Sequence, residues 1–272
     1  MTFVLIPMIV PEPTGPADLN DVIDNHRWWY RSDPFPHFRG RDVFSSDFHV
    51  TLNTAFHEIL DAGLSDEPST ERFSRNMLYS DSYGWDFPPD VSGPLAVFYS
   101  RAWHDLLQNI TGVQATGDVN AALHHHLPGS QHGFVHRDLS EAWFSDQPRP
   151  DSINPMDNAR CSYSHGRTSD SSTPVRREVR AVTMIYYLAN DGWRPGDGGE
   201  TGLYRSGSDH VLDPANAVPP INNSILVFEN TPVSWHSFLS NKHPRNSVIL
   251  WLHRSYEDAC SRWSDSMVAR WK

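Results

Sequence analysis

Cysteine is nearly absent: Cys161 and Cys260 are the only two in 272 residues. That is too few for a disulfide framework or a cysteine-based zinc site, and it fits a reducing compartment. Positive charge is also short, with 22 Lys and Arg against 33 Asp and Glu and a formal net charge of −11. Such a chain repels phosphate backbones and anionic membrane surfaces, so neither a nucleic acid nor a membrane is the expected partner. No apolar run approaches the roughly 20 residues of a membrane helix. The opening stretch "MTFVLIPMIVPEP" is apolar, but Pro7 interrupts it and it has no basic leader or small-residue cleavage pattern. It reads as a buried strand, and the chain as a soluble, cytoplasmic protein. Internal repeats are lacking too, and the length suits one domain, 1–272, with its own core.

Organisation changes along the chain. Residues 11–50, rich in Pro, Asp, Trp and His, read as an irregular, aromatic-anchored arm. Apolar spacing of three and four predicts helices over 49–63 and 93–112, the latter through Leu95, Phe98, Ala102, Leu106 and Ile110. The arm and these buttressing helices make up 1–115. From 116 to 256 the pattern becomes short β-rich runs: "DVNAALHHHL", "GFVHRDL", "REVRAVTMIYYLA", "ETGLYR", "SILVFE", "VSWHSFL" and "RNSVILWLHR". Many strands behind a few helices predict a mainly β sandwich or jelly roll with flanking helices. The polar segment 145–177 reads as a surface insertion, either a disordered loop or a lid. Residues 257–272 read as a C-terminal tail.

"LHHHLPGSQHGFVHRDL" carries five histidines, at 124, 125, 126, 132 and 136, and only His136 is followed two residues later by a carboxylate, Asp138. In a strand that spacing puts both side chains on one face. A third ligand from a distant strand is His236 in "WHSF". Two histidines and a carboxylate on one face of a metal form the facial triad of non-heme Fe(II) oxygenases. Arg245 and Ser247 open the run "RNSVILWLHR", and a guanidinium and a hydroxyl two residues apart fit the distal carboxylate of a dicarboxylic acid. The His132–His136 spacing could imitate a helical zinc pair, but Gly133 and Val135 disfavour a helix and no general-base glutamate accompanies it.

With "HRD" (136–138), "RAVTMIYYL" (180–188), "GGET" (198–201), "WH" (235–236) and "RNSVILW" (245–251) in this order, the chain resembles the Fe(II)/2-oxoglutarate dioxygenases, prolyl-hydroxylase-like branch, over about residues 120–254. The resemblance implies a double-stranded β-helix (jelly roll, cupin-like), with Fe(II) held by His136, Asp138 and His236. It implies 2-oxoglutarate anchored by Arg245 with Ser247, and reached by Tyr187 from a strand face shared with Thr183. O2 is the second cosubstrate. Asp138 argues against the halogenating relatives, in which a small residue replaces the carboxylate. One departure stands out: the family often has a tyrosine ten residues before the first histidine ligand, and this chain has His126. Either His126 makes the same hydrogen bond or the pocket is rearranged.

Substrate residues are less legible. Arg180 is either a partner for a substrate carboxylate or a solvated strand-end cation. Trp143 and Trp193 are either packing residues or an aromatic wall. The leading expectation is a hydroxylase of a small metabolite, an amino acid or imino acid in a biosynthetic pathway. The alternatives are a hydroxylase of a prolyl residue in a protein or of a carrier-tethered substrate, and a non-catalytic cupin-like binding protein. A complete triad with a cosubstrate anchor speaks against the last. The oligomeric state is not legible.

Overall fold

The computed structural model describes residues 18–75, 82–146 and 151–271. The predicted N-terminal strand lies outside them. Short elements come first: α1 (Leu19–Val22), β1 (Trp29–Arg31) and β2 (His37–Arg41). Then follow α2 (Ser46–Asp61), β3 (Leu64–Ser65), β4 (Phe73–Arg75), β5 (Ser82–Asp86), a 3-10 helix over Gly93–Tyr99, and α3 (Arg101–Thr111). The later strands are β6 (Asp118–His126), β7 (Glu141–Ser145), β8 (Asn154–Pro155), β9 (Val175–Tyr187), β10 (Thr201–Tyr204), β11 (Asn216–Val218), β12 (Ser224–Glu229), β13 (Trp235–Phe238) and β14 (Arg245–Ser255). Helix α4 (Tyr256–Trp263) follows them.

The helices stop and start where side chains supply caps. The Ser45 hydroxyl accepts from the Phe48 amide at the head of α2. Ser100, itself extended, accepts from the Trp103 amide and splits the predicted 93–112 helix into a 3-10 turn and α3. Gly112, at φ 70°, ends α3 in the left-handed conformation that favours glycine.

The large sheet runs β1-β2-β12-β9-β14-β6-β5-β4-β3, with β7 on β9 and β8 on β6; a smaller sheet runs β11-β10-β13. This is the expected mainly β jelly roll with flanking helices. Alternation along the central strands sorts the residues into two faces. Leu123, Val182, Met184, Tyr186, Val248 and Leu250 meet Phe44, Leu52, Phe56, Phe98 and Trp103 in the main core under the helices. Each fully buried side chain of this kind contributes about 1.5–3 kcal/mol. The opposite face carries Ile185, Tyr187, Leu226 and Phe228, which pack with Leu203 and Val218 of the small sheet. The chemistry-bearing residues lie between the two sheets.

Four expectations need correction. The 11–50 arm is not wholly irregular: β2 pairs with β12 and extends the large sheet, because Gly40 lets the chain pass against Ile225 and Trp28, where a Cβ would meet both at 2.9 Å. Residues 133–139 are not a strand but a single bridge at His136, since Gly133 and the polar turn before it break the ladder. The insertion is folded over 151–177: β8 pairs with β6, and Ile153, Met156, Cys161 and Tyr163 are buried. A few apolar anchors at irregular spacing hold it down, a pattern that no periodicity test detects. The tail is structured as well, with α4 packed on Leu139 and Val179 through Ala259, and the Ala269 amide bonded to the Leu139 carbonyl.

Beneath the insertion lies a buried acidic pair. Asp118 accepts from Asn154 Nδ2 at 2.6 Å and Arg176 Nη2 at 2.7 Å, and the Thr116 hydroxyl lies 3.2 Å from Asp118 and 3.4 Å from Glu178. Burial first, then the charge of Asp118, push the Glu178 carboxyl up to about 8 from its usual 4.5. A folded-state value above the unfolded one means the folded protein holds the extra proton. The contribution of Glu178 to stability is therefore fully present below about pH 4.5 and is lost as pH rises through about 8. Glu178→Gln should raise the melting temperature at pH 7 and above, by up to about 3 kcal/mol of unfolding free energy, with little effect at pH 4. Thermal melts across this pH range check it.

Candidate active site

His136 and His236 face each other across an isolated antiparallel bridge, each amide donating to the other's carbonyl at 2.9 and 2.8 Å. Residues directly opposite in such a pair point their side chains to the same side, and the two rings lie 4.4 Å apart. The His136 Nδ1 lies 2.9 Å from the Phe134 carbonyl and the His236 Nδ1 3.0 Å from the Ser234 carbonyl. A carbonyl can only accept, so both Nδ1 atoms carry the proton and both Nε2 lone pairs are free. Asp138 completes the group at 3.7 Å from each Nε2. One ligand atom from each of the three residues lies within 4.8 Å of the others. Two imidazole nitrogens and a carboxylate are a donor set that fits Fe(II), which His136, Asp138 and His236 would hold.

Second contacts hold the carboxylate. Asp138 Oδ2 accepts from the Trp251 indole at 2.7 Å and from the Thr183 hydroxyl at 3.0 Å, while Arg180 Nη1 stands 3.6 Å from Oδ1. Burial alone would raise the Asp138 carboxyl. His236, Arg180, His136 and the Trp251 N–H instead hold it well below the usual carboxylate range. It is an anion ready for a metal. His236 is pushed down to about 4 by burial and by His136, which keeps it neutral and able to ligate. Thr183 thus donates to the Asp138 carboxylate, whereas the sequence had put it beside the cosubstrate.

Arg245 is buried between the sheets. Its Nη1 donates to Ser247 Oγ at 2.8 Å and its Nη2 to Thr201 Oγ1 at 3.2 Å, while Nε is buried without a partner among the described residues. The Tyr187 hydroxyl lies 2.7 Å from Thr201 Oγ1, and the Tyr187 ring lies 5.1 Å under the guanidinium. No carboxylate pairs with Arg245 among the described residues. A buried guanidinium ringed by three hydroxyls and lacking an anion fits the distal carboxylate of 2-oxoglutarate. Gly199, at φ 80°, lets Arg245 pass: a Cβ there would meet its Cγ at 3.2 Å. His126 faces Arg245 in register and stacks flat on Phe238 at 3.9 Å. It walls this pocket with its ring and makes no ring hydrogen bond among the described residues.

Arg180 reaches the site through a bulge. The β9–β14 register shifts so that Val182 opposes Leu252 but Arg180 opposes His253. The extra residue, Ala181, turns Arg180 onto the face of Thr183 and Tyr187. There it lies 3.9 Å over the Trp251 ring, flanked by Trp271 at 5.4 Å, and its Nε donates to the Tyr163 hydroxyl at 2.9 Å. Trp143 and Trp193 do not join it. Trp143 packs on Arg177 and Gly166 in an outer cleft that also involves Trp271. Trp193 bonds the Gly198 carbonyl and lines a recess behind Arg245.

Sequence reasoning missed Trp251, Thr201, Tyr163 and Trp271. Trp251 was within reach, since it shares a strand face with Arg245 and Ser247. Tyr163 and Trp271 sit in irregular segments that give no such signal.

Residues 156–253 match the family model for the 2OG-Fe(II) oxygenase superfamily. The match contains His236 and Arg245 and begins after His136 and Asp138. No curated protein matches the sequence significantly. Among solved structures, a Pseudomonas putida prolyl-4-hydroxylase is similar at a TM-score of 0.51 and 17% identity, over 80% of this chain and 92% of that one. A Trichoplax adhaerens prolyl hydroxylase, in complex with a hypoxia-inducible-factor oxygen degradation domain peptide, is similar at 0.53 and 16%, over 83% and 86%. These likenesses carry the fold. Over residues 156–253 the chain is similar to the 2OG-Fe(II) oxygenase superfamily, enzymes that use Fe(II), 2-oxoglutarate and O2, and the His-Asp-His triad and the buried Arg245 pocket agree with that match.

Proposed function

We propose that the protein hydroxylates a small metabolite, an amino acid or imino acid, with His136, Asp138 and His236 holding Fe(II), and with Arg245, Ser247, Thr201 and Tyr187 holding 2-oxoglutarate. The bound iron and cosubstrate supply the oxidising chemistry. This chain's residues fix ligand geometry, orient the cosubstrate and exclude water. The observation that carries the substrate reading is Arg180, a buried cation aimed at the metal face by a bulge and paired only loosely with Asp138. A substrate carboxylate would find there a guanidinium already oriented by Tyr163 and Trp251.

A second reading, hydroxylation of a prolyl residue in a polypeptide, is favoured by Phe134. Its ring is 64% exposed and lies 5.0 Å from that of His136, an apolar rim on which a chain could rest. The two fold neighbours act as prolyl hydroxylases by name. Substrate-dependent succinate formation separates the readings. Free amino and imino acids should stimulate turnover of 2-oxoglutarate, whereas stimulation by proline-containing peptides alone would install the second reading. Among the described residues no helix is long and apolar enough to cross a membrane, and a cytoplasmic location remains part of this proposal.

A further inference from the structure

The inner wall formed by β5 and β6 is polar in a way the metal and cosubstrate do not use. Trp85 packs into the main core and Phe87 is buried there, so Asp86 between them faces the other way. It stands in register with Ala122, a small residue on the same sheet face. On the same face of β6 lie Asn120 and His124. Asp86 makes no hydrogen bond or ion pair among the described residues. Its side chain is exposed; desolvation by its surroundings nevertheless pushes its carboxyl up, and the charge of Arg180 opposes that rise. Asn120 is 4% exposed; its amide meets the Tyr163 hydroxyl, and its Oδ1 is buried without a donor among the described residues. His124, pushed down to about 3 by burial and by Arg245, is a neutral imidazole between the two arginines.

This face of the large sheet therefore presents a guanidinium on β9 and, two and three strands away on β6 and β5, an orphan amide oxygen and a carboxylate, both lacking donors among the described residues. A carboxylate substrate answers only the first. We infer that Asp86, helped by Asn120 Oδ1, binds the free ammonium of the substrate while Arg180 binds its carboxylate, so that the enzyme takes a zwitterion with an unblocked amine. The inference rests on the small-metabolite reading and adds a specificity residue to it. A peptide-linked or acylated nitrogen carries no charge for Asp86 to pair with.

The test uses the intact enzyme with Fe(II) and 2-oxoglutarate. Free L-amino and imino acids, their N-acetyl derivatives and a proline-containing peptide are compared for substrate-dependent succinate and, anaerobically, for binding by calorimetry. The best free acid should exceed its N-acetyl derivative at least tenfold in kcat/KM and in affinity. Asp86→Asn should raise KM for the free acid at least tenfold with kcat changed much less, Asp86→Glu should recover part of the loss, and melting temperature controls for folding. Equal use of the N-acetyl compound, or an unchanged KM in folded Asp86→Asn, overturns the inference and leaves a small-molecule hydroxylase standing. Response to the peptide alone, or no binding by any free acid, overturns both. Should Asp86→Asn not fold, the wild-type comparison of free and acetylated acids still decides.

Discussion

His236→Ala should lose Fe(II) binding and turnover together, with affinity falling by more than about 100-fold, the upper end for losing a mere outer-sphere partner of a metal ligand. His236 is 5% exposed and shares a backbone bridge with His136, so the substitution removes a ligand without opening the ladder that positions the other one. The bridge bonds are made by backbone atoms and survive in alanine. Anaerobic calorimetric titration of Fe(II) into wild type and variant measures the effect. Asp138→Ala should be at least as severe, because it also strands the Trp251 indole, the Thr183 hydroxyl and the Arg180 guanidinium around an empty position. Retained stoichiometric Fe(II) in either variant would place the metal elsewhere.

Arg245→Ala should leave Fe(II) binding intact and weaken 2-oxoglutarate by about 2 to 5 kcal/mol, about 30- to 5000-fold, the scale for truncating one partner of a buried, hydrogen-bonded charge pair. The guanidinium is fixed by Ser247 and Thr201 and backed by the rings of Tyr187 and Phe238. Lysine should recover only part of the loss, since it brings the charge without the planar fork. The dependence of succinate formation on 2-oxoglutarate concentration, with calorimetry as a second readout, checks it. Unchanged affinity would remove Arg245 from the cosubstrate pocket.

How far the sequence reaches depends on how local the determining physics is. The strands β9, β10, β12, β13 and β14 were legible because their apolar alternation and turn residues act within a few positions, whereas the three-residue β11 was not, and Arg245 with Ser247 follow from the same alternation. His136 and Asp138 were legible as a pair, yet the strand assumed for them does not exist. What aligns His136 is a single bridge to His236, 100 residues away in sequence by their numbering, and no local pattern encodes it. Arg180 was ambiguous for a related reason: strict alternation from Thr183 would turn it toward the helices, and only the bulge at Ala181 turns it back. Asp86 and Tyr163 were invisible, one on a short strand and the other in a polar loop. Each acquires meaning only from the neighbours that folding brings to it.

Anaerobic addition of Fe(II) and then 2-oxoglutarate to the wild-type protein, followed by visible absorption, tests the central assignment most directly. A weak charge-transfer band should appear only when both are present, saturate at one equivalent of each per chain, and be absent from His136→Ala and Asp138→Ala. No band in the wild type, or a band of undiminished intensity in both variants, would contradict the assignment of His136, Asp138 and His236 as the iron site.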